Sequence, residues 1–526
     1  MNLTRLQNFR ICVSKAYRLH HATQICRGLS SLSHVDPIIR DFTGKMAETR
    51  PTICVSPDRI RVLQQPIQFL DTLIDMINRA NDRVFISSLY IGSKETRLMT
   101  ALEHALSSKP NLQVYLHLDL NRSTRPGPSS TASIVLPLLR QFPGRVHVSC
   151  FRSPHLRGLM AKVIPPRYNE GWGTWHAKVY GVDNEVMISG ANLNKSYFTD
   201  RQDRYLHFRE SPTLAQYCFD FLKVVSPYTF KLLPAPPTCS HSPHSYQKEN
   251  YFLSWQNETH PHEIHSAVRD ALVEFRSSRV KPDDTSSDED VLIFPLVQGG
   301  QFGIRDEEQA FQLLFQQIVT PKNPSLSRPL LDLTSGYFSL YKPYQNMILS
   351  ASNMDCRIVA ASPQANGFYG SAGLSGRIPE GYTLFEQRFI RAVRHAGRLW
   401  KTMSKSPVGG QGVLLSEWSK SGWTYHAKGI WLSPDSKSPP ILTLFGSTNL
   451  NARSAHLDTE LSFLMVLPTE VGEGGDPSSS KAVISLRRAL AEEIANIRRN
   501  TVDWQGWRRK VRKTTKGFVW LLKGML

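Results

Sequence analysis

A repeated segment rich in polar residues constrains this chain more than any other feature of its sequence. The first copy, residues 174–203, reads TWHAKVYGVDNEVMISGANLNKSYFTDRQD, and the second, residues 424–460, reads TYHAKGIWLSPDSKSPPILTLFGSTNLNARSAHLDTE. Each copy has Thr-aromatic-His-Ala-Lys, an apolar run, and a small-residue turn ending in Asn-Leu-Asn. An acidic residue follows the turn at the same distance of eleven residues in both, giving the pairs Asn192–Asp203 and Asn449–Glu460. Such a repeat predicts two lobes built on one plan.

The segments around the repeat predict the architecture of these lobes. Short apolar runs predict buried strands at 83–89, 112–118, 145–151, 330–334 and 357–361. Apolar residues at three- and four-residue steps predict amphipathic helices at about 66–80 and 307–319. Strands that alternate with helices favour an α/β sandwich in each half. We therefore predict an α/β protein of two similar lobes, each a mixed sheet flanked by helices, with the active site between them.

Composition shifts suggest where these lobes begin and end. Residues 234–261 are rich in Pro, Ser and His, and residues 281–290 are acidic, which is typical of a linker with a disordered stretch. A short helix is predicted between them, near 263–276. We divide the chain into a leader (1–50), a first lobe (51–232), a linker (233–290), a second lobe (291–470) and C-terminal helices (471–526).

The first 35 residues have the composition of a mitochondrial transit peptide. They contain five basic residues and several hydroxyl residues, with no acidic residue before Asp36. The alternative is a disordered basic tail. We expect cleavage after Arg27, and no stretch of the chain reaches the roughly 18 apolar residues that a membrane-spanning helix needs.

The charge of the whole chain points to an anionic partner. It has 63 Lys and Arg against 44 Asp and Glu, a net charge of +19. This balance suits nucleic acid, an anionic membrane or a phosphorylated substrate, and does not choose among them. The seven cysteines form no CxxC pair and no zinc-ligand pattern, so we expect reduced thiols and no structural metal.

The two His-x-Lys motifs predict phosphodiester chemistry. Residues i and i+2 of a strand face the same way, so His176 projects with Lys178 and His426 with Lys428. One histidine can attack phosphorus to give a phosphohistidine, while the other protonates the leaving group and then activates an alcohol. A single His-x-Lys is usually a chance surface pair, whereas two copies at matched positions predict one active site.

The remaining polar residues of the repeat complete this predicted site. Asn192 and Asn449, with the two lysines, would hold the non-bridging oxygens as their charge develops. Asp203 and Glu460 would each orient one imidazole. We expect no metal to be required for the chemistry, although a divalent cation could assist binding of a pyrophosphate substrate.

These motifs resemble the phospholipase D superfamily signature, His-x-Lys-x4-Asp followed by a Gly-Ser-x-Asn turn. The first copy has Asp183 at the aspartate position but Ser-Gly-Ala-Asn as its turn, at 189–192. The second copy has the Gly-Ser-Thr-Asn turn at 446–449 but Ser433 in place of the aspartate. The resemblance implies that Asp183 belongs to the catalytic motif in a mainly structural capacity.

Longer segments are similar to the eukaryotic mitochondrial phosphatidylglycerophosphate synthase family. They are SLYIG (88–92), PLLRQFPGRVHVSCFRSPHLRGL (137–159), ISGANLNKSYFTDRQDRY (188–205), ASPQANGFYG (361–370) and GWTYHAKGIWL (422–432). The resemblance implies transfer of the phosphatidyl group from CDP-diacylglycerol to glycerol-3-phosphate, at the matrix side of the mitochondrial inner membrane. We take His176 as the nucleophile and His426 as the acid and base.

Other residues are weaker candidates for substrate or membrane binding. Four basic residues near predicted strand ends suit anionic substrates, with a solvated loop as the alternative: Arg122, Arg125, His155 and Arg157. Residues 504–526 carry seven basic residues and no acid after Trp504, and predict a basic amphipathic helix on an anionic membrane, or a helix packed on the protein body.

Three other functions remain open from the sequence. A phosphatidylserine synthase or phospholipase D would share every catalytic residue and differ in the acceptor pocket. A nuclease or DNA-end phosphodiesterase would suit the charge, although we consider nucleic acid an unlikely partner because the basic residues concentrate at the termini. A non-catalytic lipid-binding protein would not need both sets of His, Lys and Asn.

Overall fold

The structure is a computed structural model that describes residues 32–166, 168–236, 242–280, 290–319, 328–402, 410–469 and 477–522. Two large mixed sheets dominate it. The strands of the first sheet, in spatial order, are Tyr246–Lys248, Tyr251–Ser254, Phe230–Leu233, Val146–Phe151, Gln113–Asp119, Arg83–Ser88, Val179–Val182, Glu185–Ser189, Tyr205–Phe208 and Ile60–Leu63. The strands of the second sheet are Ile53–Val55, Val291–Gly299, Thr459–Val466, Leu442–Gly446, Lys428–Ser433, Leu330–Ser335, Asp355–Ala361, Val413–Trp418 and Thr501–Asp503, with Ile304–Arg305 paired to Val291–Gly299.

The two sheets share one central topology. In the first, the strand Arg83–Ser88 pairs in parallel with Gln113–Asp119 on one side and antiparallel with Val179–Val182 on the other. In the second, Leu330–Ser335 makes the same pair of contacts, parallel to Asp355–Ala361 and antiparallel to the strand Lys428–Ser433. The predicted internal repeat and the two-lobed α/β fold are therefore confirmed.

Helices flank both sheets where the sequence places an apolar stripe. Pro66–Arg79 begins with a capping box between Gln65 and Gln68, and its apolar face, including Phe69 and Leu73, is fully buried. Arg40–Thr49 precedes the first lobe in the chain, and the helices that follow it up to the second lobe are Pro66–Arg79, Thr96–Ser108, Leu120–Ser123, Thr131–Gln141, Gly158–Val163, Lys195–Thr199, Pro212–Val225 and His265–Ser277. Those that follow are Asp306–Val319, Lys342–Ser350, Ile378–His395, Ala452–His456, Pro477–Arg499 and Lys513–Leu522.

The lobes pack face to face across a shared apolar core. The ring of Phe208 stacks on that of Phe445, 5.9 Å away in the other lobe. A buried ion pair reinforces this contact, because Arg204 of the first lobe binds Glu493 on the helix Pro477–Arg499. Apolar and ionic contacts thus join the two lobes.

Two predicted domain boundaries need correction. The strand Ile53–Val55, which we assigned to the first lobe, pairs with Val291–Gly299 in the second sheet. The predicted linker 233–290 is also partly folded, since the strands Tyr246–Lys248 and Tyr251–Ser254 extend the first sheet. Their aromatic residues pack against that sheet, as Tyr246 does against Phe230. The predicted helix near 263–276 is confirmed, and residues 281–289 of the acidic stretch lie outside the described residues.

The end of the predicted leader also belongs to the folded body. The helix Arg40–Thr49 buries Phe42 and Met46 in the second-lobe core, against Asp306–Val319. An ion pair between Arg50 and Asp306 fixes its end. A leader that extends to residue 50 is therefore wrong, because these apolar side chains have a partner in the second lobe. Residues 1–31, which carry the transit-peptide composition, lie outside the described residues.

The C-terminal segment is not the single basic helix that the sequence predicted. Thr501–Asp503 forms an edge strand of the second sheet, and Trp504 donates a hydrogen bond to Glu386. A helix resumes only at Lys513–Leu522, and residues 523–526 lie outside the described residues. Within the described residues, no helix combines the length and apolarity needed to cross a bilayer.

Candidate active site

The two His-x-Lys motifs lie at the junction between a central strand and a segment that crosses to the other lobe. We predicted that each motif lies within a strand, but His176 precedes the strand Val179–Val182, and His426 separates Thr424–Tyr425 from Lys428–Ser433. The interruption arises because the preceding residues pair with the opposite lobe. Nine residues of the repeat were predicted to be catalytic. Eight of them, all except Asp183, are buried: His176, Lys178, Asn192, Asp203, His426, Lys428, Asn449 and Glu460.

Backbone hydrogen bonds fasten each motif to the opposite lobe. The amide of His176 donates to the Thr459 carbonyl (2.9 Å), and the amide of His426 donates to the Gln202 carbonyl (2.8 Å). Thr459 and Gln202 each directly precede the acidic residue of the repeat. This arrangement brings each histidine beside the carboxylate of the other copy.

His176 is oriented by Glu460. Nδ1 of the imidazole lies 2.8 Å from Oε2 of the carboxylate, and the Ser454 hydroxyl donates to the other oxygen, Oε1, at 2.7 Å. Burial raises the pKa of Glu460, but the neighbouring His176 and Lys178 outweigh it and hold this pKa below its ordinary value. An ionised Glu460 therefore faces Nδ1 and leaves Nε2 of the imidazole available.

His426 is oriented by Asp203 and Lys428. Its Nδ1 lies 2.6 Å from Oδ2 of Asp203 and 2.7 Å from Nζ of Lys428. Gly190 makes this close packing possible, because a Cβ at that position would lie 2.6 Å from both Nζ of Lys428 and Oδ1 of Asp203. The Ser-Gly-Ala-Asn turn of the first copy thus carries its glycine where the second half-site needs the space.

Burial sets the protonation of the cationic groups. It lowers the pKa of Lys178 to about 7 and that of Lys428 to about 8, and their mutual repulsion acts in the same direction for Lys178. It also lowers the pKa of His176, and that of His426 falls well below its ordinary value with Lys428 contributing. Both imidazoles are therefore neutral near pH 7, which is the form a nucleophile or general base requires.

The two asparagines line the same space. Nδ2 of Asn192 donates to the Tyr197 hydroxyl (3.0 Å), which lies 3.4 Å from Nε2 of His426. The backbone amide of Asn449 donates to Ser454 at 3.1 Å. Among the described residues, the buried side-chain oxygens of both asparagines lack a hydrogen-bond partner. A bound substrate could supply those partners.

Asp183 lies outside this cleft. It occupies the turn after Val179–Val182, at the end of the strand far from His176, with a φ of 49°. Its carboxylate accepts hydrogen bonds from three consecutive backbone amides, those of Asn81, Asp82 and Arg83, at 2.8–3.0 Å. Asp183 therefore has the structural role that the resemblance implied, since it fastens a turn to the start of a central strand, and it does not belong with the catalytic residues of the cleft.

The four candidate substrate-binding residues differ in position. Arg122 and Arg125 both pair with Glu170, so this carboxylate balances only one of their two positive charges. Arg122 lies in the short helix Leu120–Ser123 and Arg125 follows it. The N-cap of this helix, Asp119, accepts from the Trp175 amide next to His176, so both arginines lie near the cleft. His155 and Arg157 are exposed, and the ring of His155 contacts His265. The structure does not bring these two to the paired motifs.

The sequence analysis missed an aromatic and cationic cluster beside His426. The rings of Tyr197 and Tyr337 each meet the His426 ring edge to face, with centroids 5.1 and 5.4 Å away. Arg201 lies over Tyr197, 4.4 Å from its centroid. The available signal was the aromatic residue that follows a central strand shortly in each lobe, Tyr90 and Tyr337.

Three side chains offer a possible cation site. His176, Asp458 and Glu460 place one ligand atom each within 4.8 Å of one another. In the ligand-free protein these groups bind other partners, as Asp458 accepts from the backbone and side chain of Thr174 (both 2.9 Å). A metal here would have to replace the His176–Glu460 hydrogen bond.

The comparisons with known proteins agree with this geometry. No family model matches the chain. A mitochondrial CDP-diacylglycerol–glycerol-3-phosphate 3-phosphatidyltransferase of Gallus gallus is 34% identical over 442 residues, covering 79% of this chain and 76% of that protein. The Schizosaccharomyces pombe enzyme of that name is 31% identical over 488 residues, covering 86% and 91%. A probable enzyme of that name from Dictyostelium discoideum is 32% identical, covering 82% and 73%.

A solved structure shares the whole architecture. Phosphatidylserine synthase of Haemophilus influenzae superimposes with a TM-score of 0.62 at 18% identity, covering 92% of this chain and 98% of that one. This likeness shows the fold, and the identity of a third over most of three relatives shows the family. The chain belongs to the CDP-diacylglycerol–glycerol-3-phosphate 3-phosphatidyltransferases.

Proposed function

We propose that the chain transfers the phosphatidyl group of CDP-diacylglycerol to glycerol-3-phosphate, giving phosphatidylglycerophosphate and CMP through a phosphohistidine intermediate. The proposal places the protein at the committed step towards phosphatidylglycerol and cardiolipin. Membership of the family supports the substrates. The crossed pairs His176–Glu460 and His426–Asp203 support the mechanism, because each provides a neutral, oriented imidazole in one cleft.

In the first half of the reaction, His176 attacks the phosphorus that bears the diacylglycerol. A proton on Nδ1 donates to Glu460, so the Nε2 lone pair forms the new N–P bond while the pyrophosphate P–O bond breaks. Binding of the anionic pyrophosphate raises the pKa of His426, so this imidazole enters the step protonated, gives its proton to the departing CMP oxygen and becomes neutral. Lys178 and Lys428, both buried, stabilise the charge on the non-bridging oxygens.

In the second half, glycerol-3-phosphate takes the place of CMP. His426 accepts the proton of its attacking hydroxyl, the new O–P bond forms, and the N–P bond to His176 breaks. The reaction restores both imidazoles, so no net proton or electron is left on the protein. These steps use only side chains of the cleft; activity that survives EDTA supports them, and activity that returns only with Mg²⁺ would give the cation a place in catalysis.

We also propose that the protein binds the matrix face of the mitochondrial inner membrane as a peripheral protein. In the helix Lys513–Leu522, Val519 is buried beside Gly381, whereas Trp520 is 71% exposed and Lys513 and Lys516 are exposed. An exposed tryptophan with flanking lysines suits the interface of an anionic membrane.

The membrane proposal can be tested without disturbing the fold. We expect the triple change Trp520→Ala, Lys513→Glu and Lys516→Glu to reduce sedimentation with vesicles that contain anionic lipid. The exposed ion pair Arg97–Asp71 offers a control in Arg97→Gln. Unchanged sedimentation of the triple variant would remove this helix as the anchor.

The decisive experiment on function measures CMP release from CDP-diacylglycerol in detergent, with and without glycerol-3-phosphate. We expect release coupled to phosphatidylglycerophosphate, and its loss in His176→Ala and His426→Ala. Serine or water as the better acceptor would instead indicate a phosphatidylserine synthase or phospholipase D. Cleavage of oligonucleotides with no CMP release would mean that the substrate class is wrong.

A further inference from the structure

The two half-sites carry opposite charges at one equivalent position. Arg201 and Asp458 both lie nine residues after the turn asparagine and two before the carboxylate that orients a histidine. Each binds the threonine that opens the opposite motif: Asp458 accepts from Thr174 at 2.9 Å, and Nε of Arg201 donates to Thr424 at 2.9 Å. The catalytic groups of the cleft are therefore related by a nearly two-fold symmetry, whereas the charges at this equivalent position, Arg201 and Asp458, are opposite.

The charge on the His176 side is neutralised within the protein. Arg453 forms an ion pair with Asp458, with Nε 3.0 Å from the carboxylate. On the His426 side, no ion pair within 4.0 Å involves Arg201 in the described part of the chain, and its other contact is the face of Tyr197. A partly buried guanidinium without a bound carboxylate costs free energy that an anionic ligand would offset.

Two polar groups converge beside Gly367. A Cβ added to this glycine would lie 3.1 Å from the Tyr337 hydroxyl and 3.3 Å from Nη2 of Arg201, so the absence of a side chain keeps both groups unobstructed on that side. Tyr197 and Tyr337 also contact the His426 ring. The resulting cradle combines a guanidinium, which can bind two oxygens at once, with phenol hydroxyl donors.

We propose that Arg201, with Tyr197 and Tyr337, forms a subsite for a phosphate monoester that does not itself react. This inference rests on the proposed function, in which CMP leaves and glycerol-3-phosphate arrives on the side of His426. Both molecules carry a phosphate monoester. In CMP it is the group that leaves, and in glycerol-3-phosphate it lies on the carbon at the other end from the attacking hydroxyl. The subsite binds one of these, whereas the equivalent position on the opposite side is held by Asp458, which is already paired with Arg453.

Two reactions separate the two sources of the phosphate. Exchange of labelled CMP into CDP-diacylglycerol needs only the first half of the reaction, whereas the full transfer also needs the acceptor. If Arg201 binds the acceptor phosphate, Arg201→Gln raises the KM for glycerol-3-phosphate about 10- to 100-fold, and the loss is specific to transfer. If it binds CMP, the same rise occurs in the KM for CMP during exchange.

Further variants distinguish binding from a structural role. Arg201→Lys should recover part of the affinity, since it keeps the charge but loses the bidentate geometry. Gly367→Ala should weaken the same step, because its methyl group enters the cradle without changing any donor. Arg97→Gln, an exposed arginine distant in sequence, should change neither KM.

KM values for both phosphates that are the same in Arg201→Gln and wild type would overturn the subsite, whether or not kcat falls. Failure of the proposed function looks different, because the wild-type protein itself would then release no CMP.

Discussion

Nδ1 of His176 lies 2.8 Å from Oε2 of Glu460, a residue 284 positions later in the chain and in the other lobe. His426 has the reciprocal relationship with Asp203, at 2.6 Å. Neither copy of the repeat therefore contains a complete half-site, because each histidine depends on the opposite copy for its orientation. This crossing explains why one active site requires both lobes to be docked.

Glu460→Gln and Asp203→Asn should each disable the histidine of the opposite copy. An amide keeps the shape but neither fixes the tautomer nor stabilises an imidazolium, and we expect kcat to fall about 10²- to 10⁴-fold. Trapping of lipid-labelled enzyme by a denaturing quench at neutral to mildly alkaline pH, where the acid-labile P–N bond survives, identifies the step that is lost. If His176 is the nucleophile, Glu460→Gln reduces formation of the labelled enzyme, whereas Asp203→Asn mainly slows its consumption by glycerol-3-phosphate.

The opposite pattern, with the labelled enzyme absent only in Asp203→Asn, would exchange the roles of the two histidines. Equal rates in both variants and wild type would show that the carboxylates do not orient the imidazoles. Circular dichroism should confirm that both variants fold.

Gly190→Ala should disturb the half-site of His426 and Lys428, although Gly190 lies in the first copy of the repeat and these two residues lie in the second. Its Cβ would lie 2.6 Å from Nζ of Lys428, so the ammonium must move away from its place beside His426. We expect kcat/KM to fall at least about 10-fold, since a small displacement of a catalytic group is costly. Gly517→Ala, where an added Cβ meets nothing within 4 Å, is the matched control and should keep full activity. Full activity in Gly190→Ala would contradict the close packing at Lys428.

Much of this site follows from the sequence because the repeat encodes it directly. Equal spacing to an acidic residue identified the histidines, lysines, asparagines and carboxylates. The topology also followed, since apolar runs of strand length flank each motif. The sequence could not decide which carboxylate orients which histidine, because that choice depends on how the two lobes dock. The paired residues are 223 positions apart for Asp203 and His426 and 284 apart for His176 and Glu460.

Other features depend on tertiary contacts that local patterns do not contain. The helix Arg40–Thr49 lies in the segment that we assigned to the leader, yet Phe42 and Met46 place it in the core of the second lobe. Asp183 matches a catalytic signature, but its contacts are three backbone amides. Nothing in the sequence around Arg201 indicates a binding residue. Its charge, which has no ion pair among the described residues, is noticed only when its position is compared with that of Asp458 in the other copy of the repeat.

The activity should depend on pH through the buried lysines. Because burial lowers the pKa of Lys178 to about 7 and of Lys428 to about 8, raising the pH from 6.5 to 9 removes positive charge from the empty cleft. We expect kcat/KM for CDP-diacylglycerol to fall over this range, while kcat changes less because a bound phosphate keeps the lysines protonated.

Glu460→Gln offers a check on the sign of this effect. The Glu460 carboxylate raises the pKa of Lys178, so its loss should move the alkaline fall of the residual kcat/KM to lower pH. A kcat/KM that rises steadily up to pH 9, or a fall that moves to higher pH in the variant, would contradict the assignment to Lys178.

The ion pair between Arg204 and Glu493 should contribute strongly to stability. Both side chains are buried, with Nε and Nη2 of Arg204 each 3.0 Å from a carboxylate oxygen, and the guanidinium lies 3.8 Å from the centre of the Trp431 ring. Glu493→Gln leaves a buried guanidinium without its charge partner, so we expect the free energy of unfolding to fall by about 3–5 kcal/mol in urea titrations.

Replacing both partners with apolar residues, in Arg204→Met with Glu493→Leu, should lower the free energy of unfolding less than the single change does. The exposed pair gives the control, since Asp71→Asn should cost less than about 1 kcal/mol. A Glu493→Gln variant as stable as Asp71→Asn would show that the lobes are held together by their apolar contacts and not by this pair.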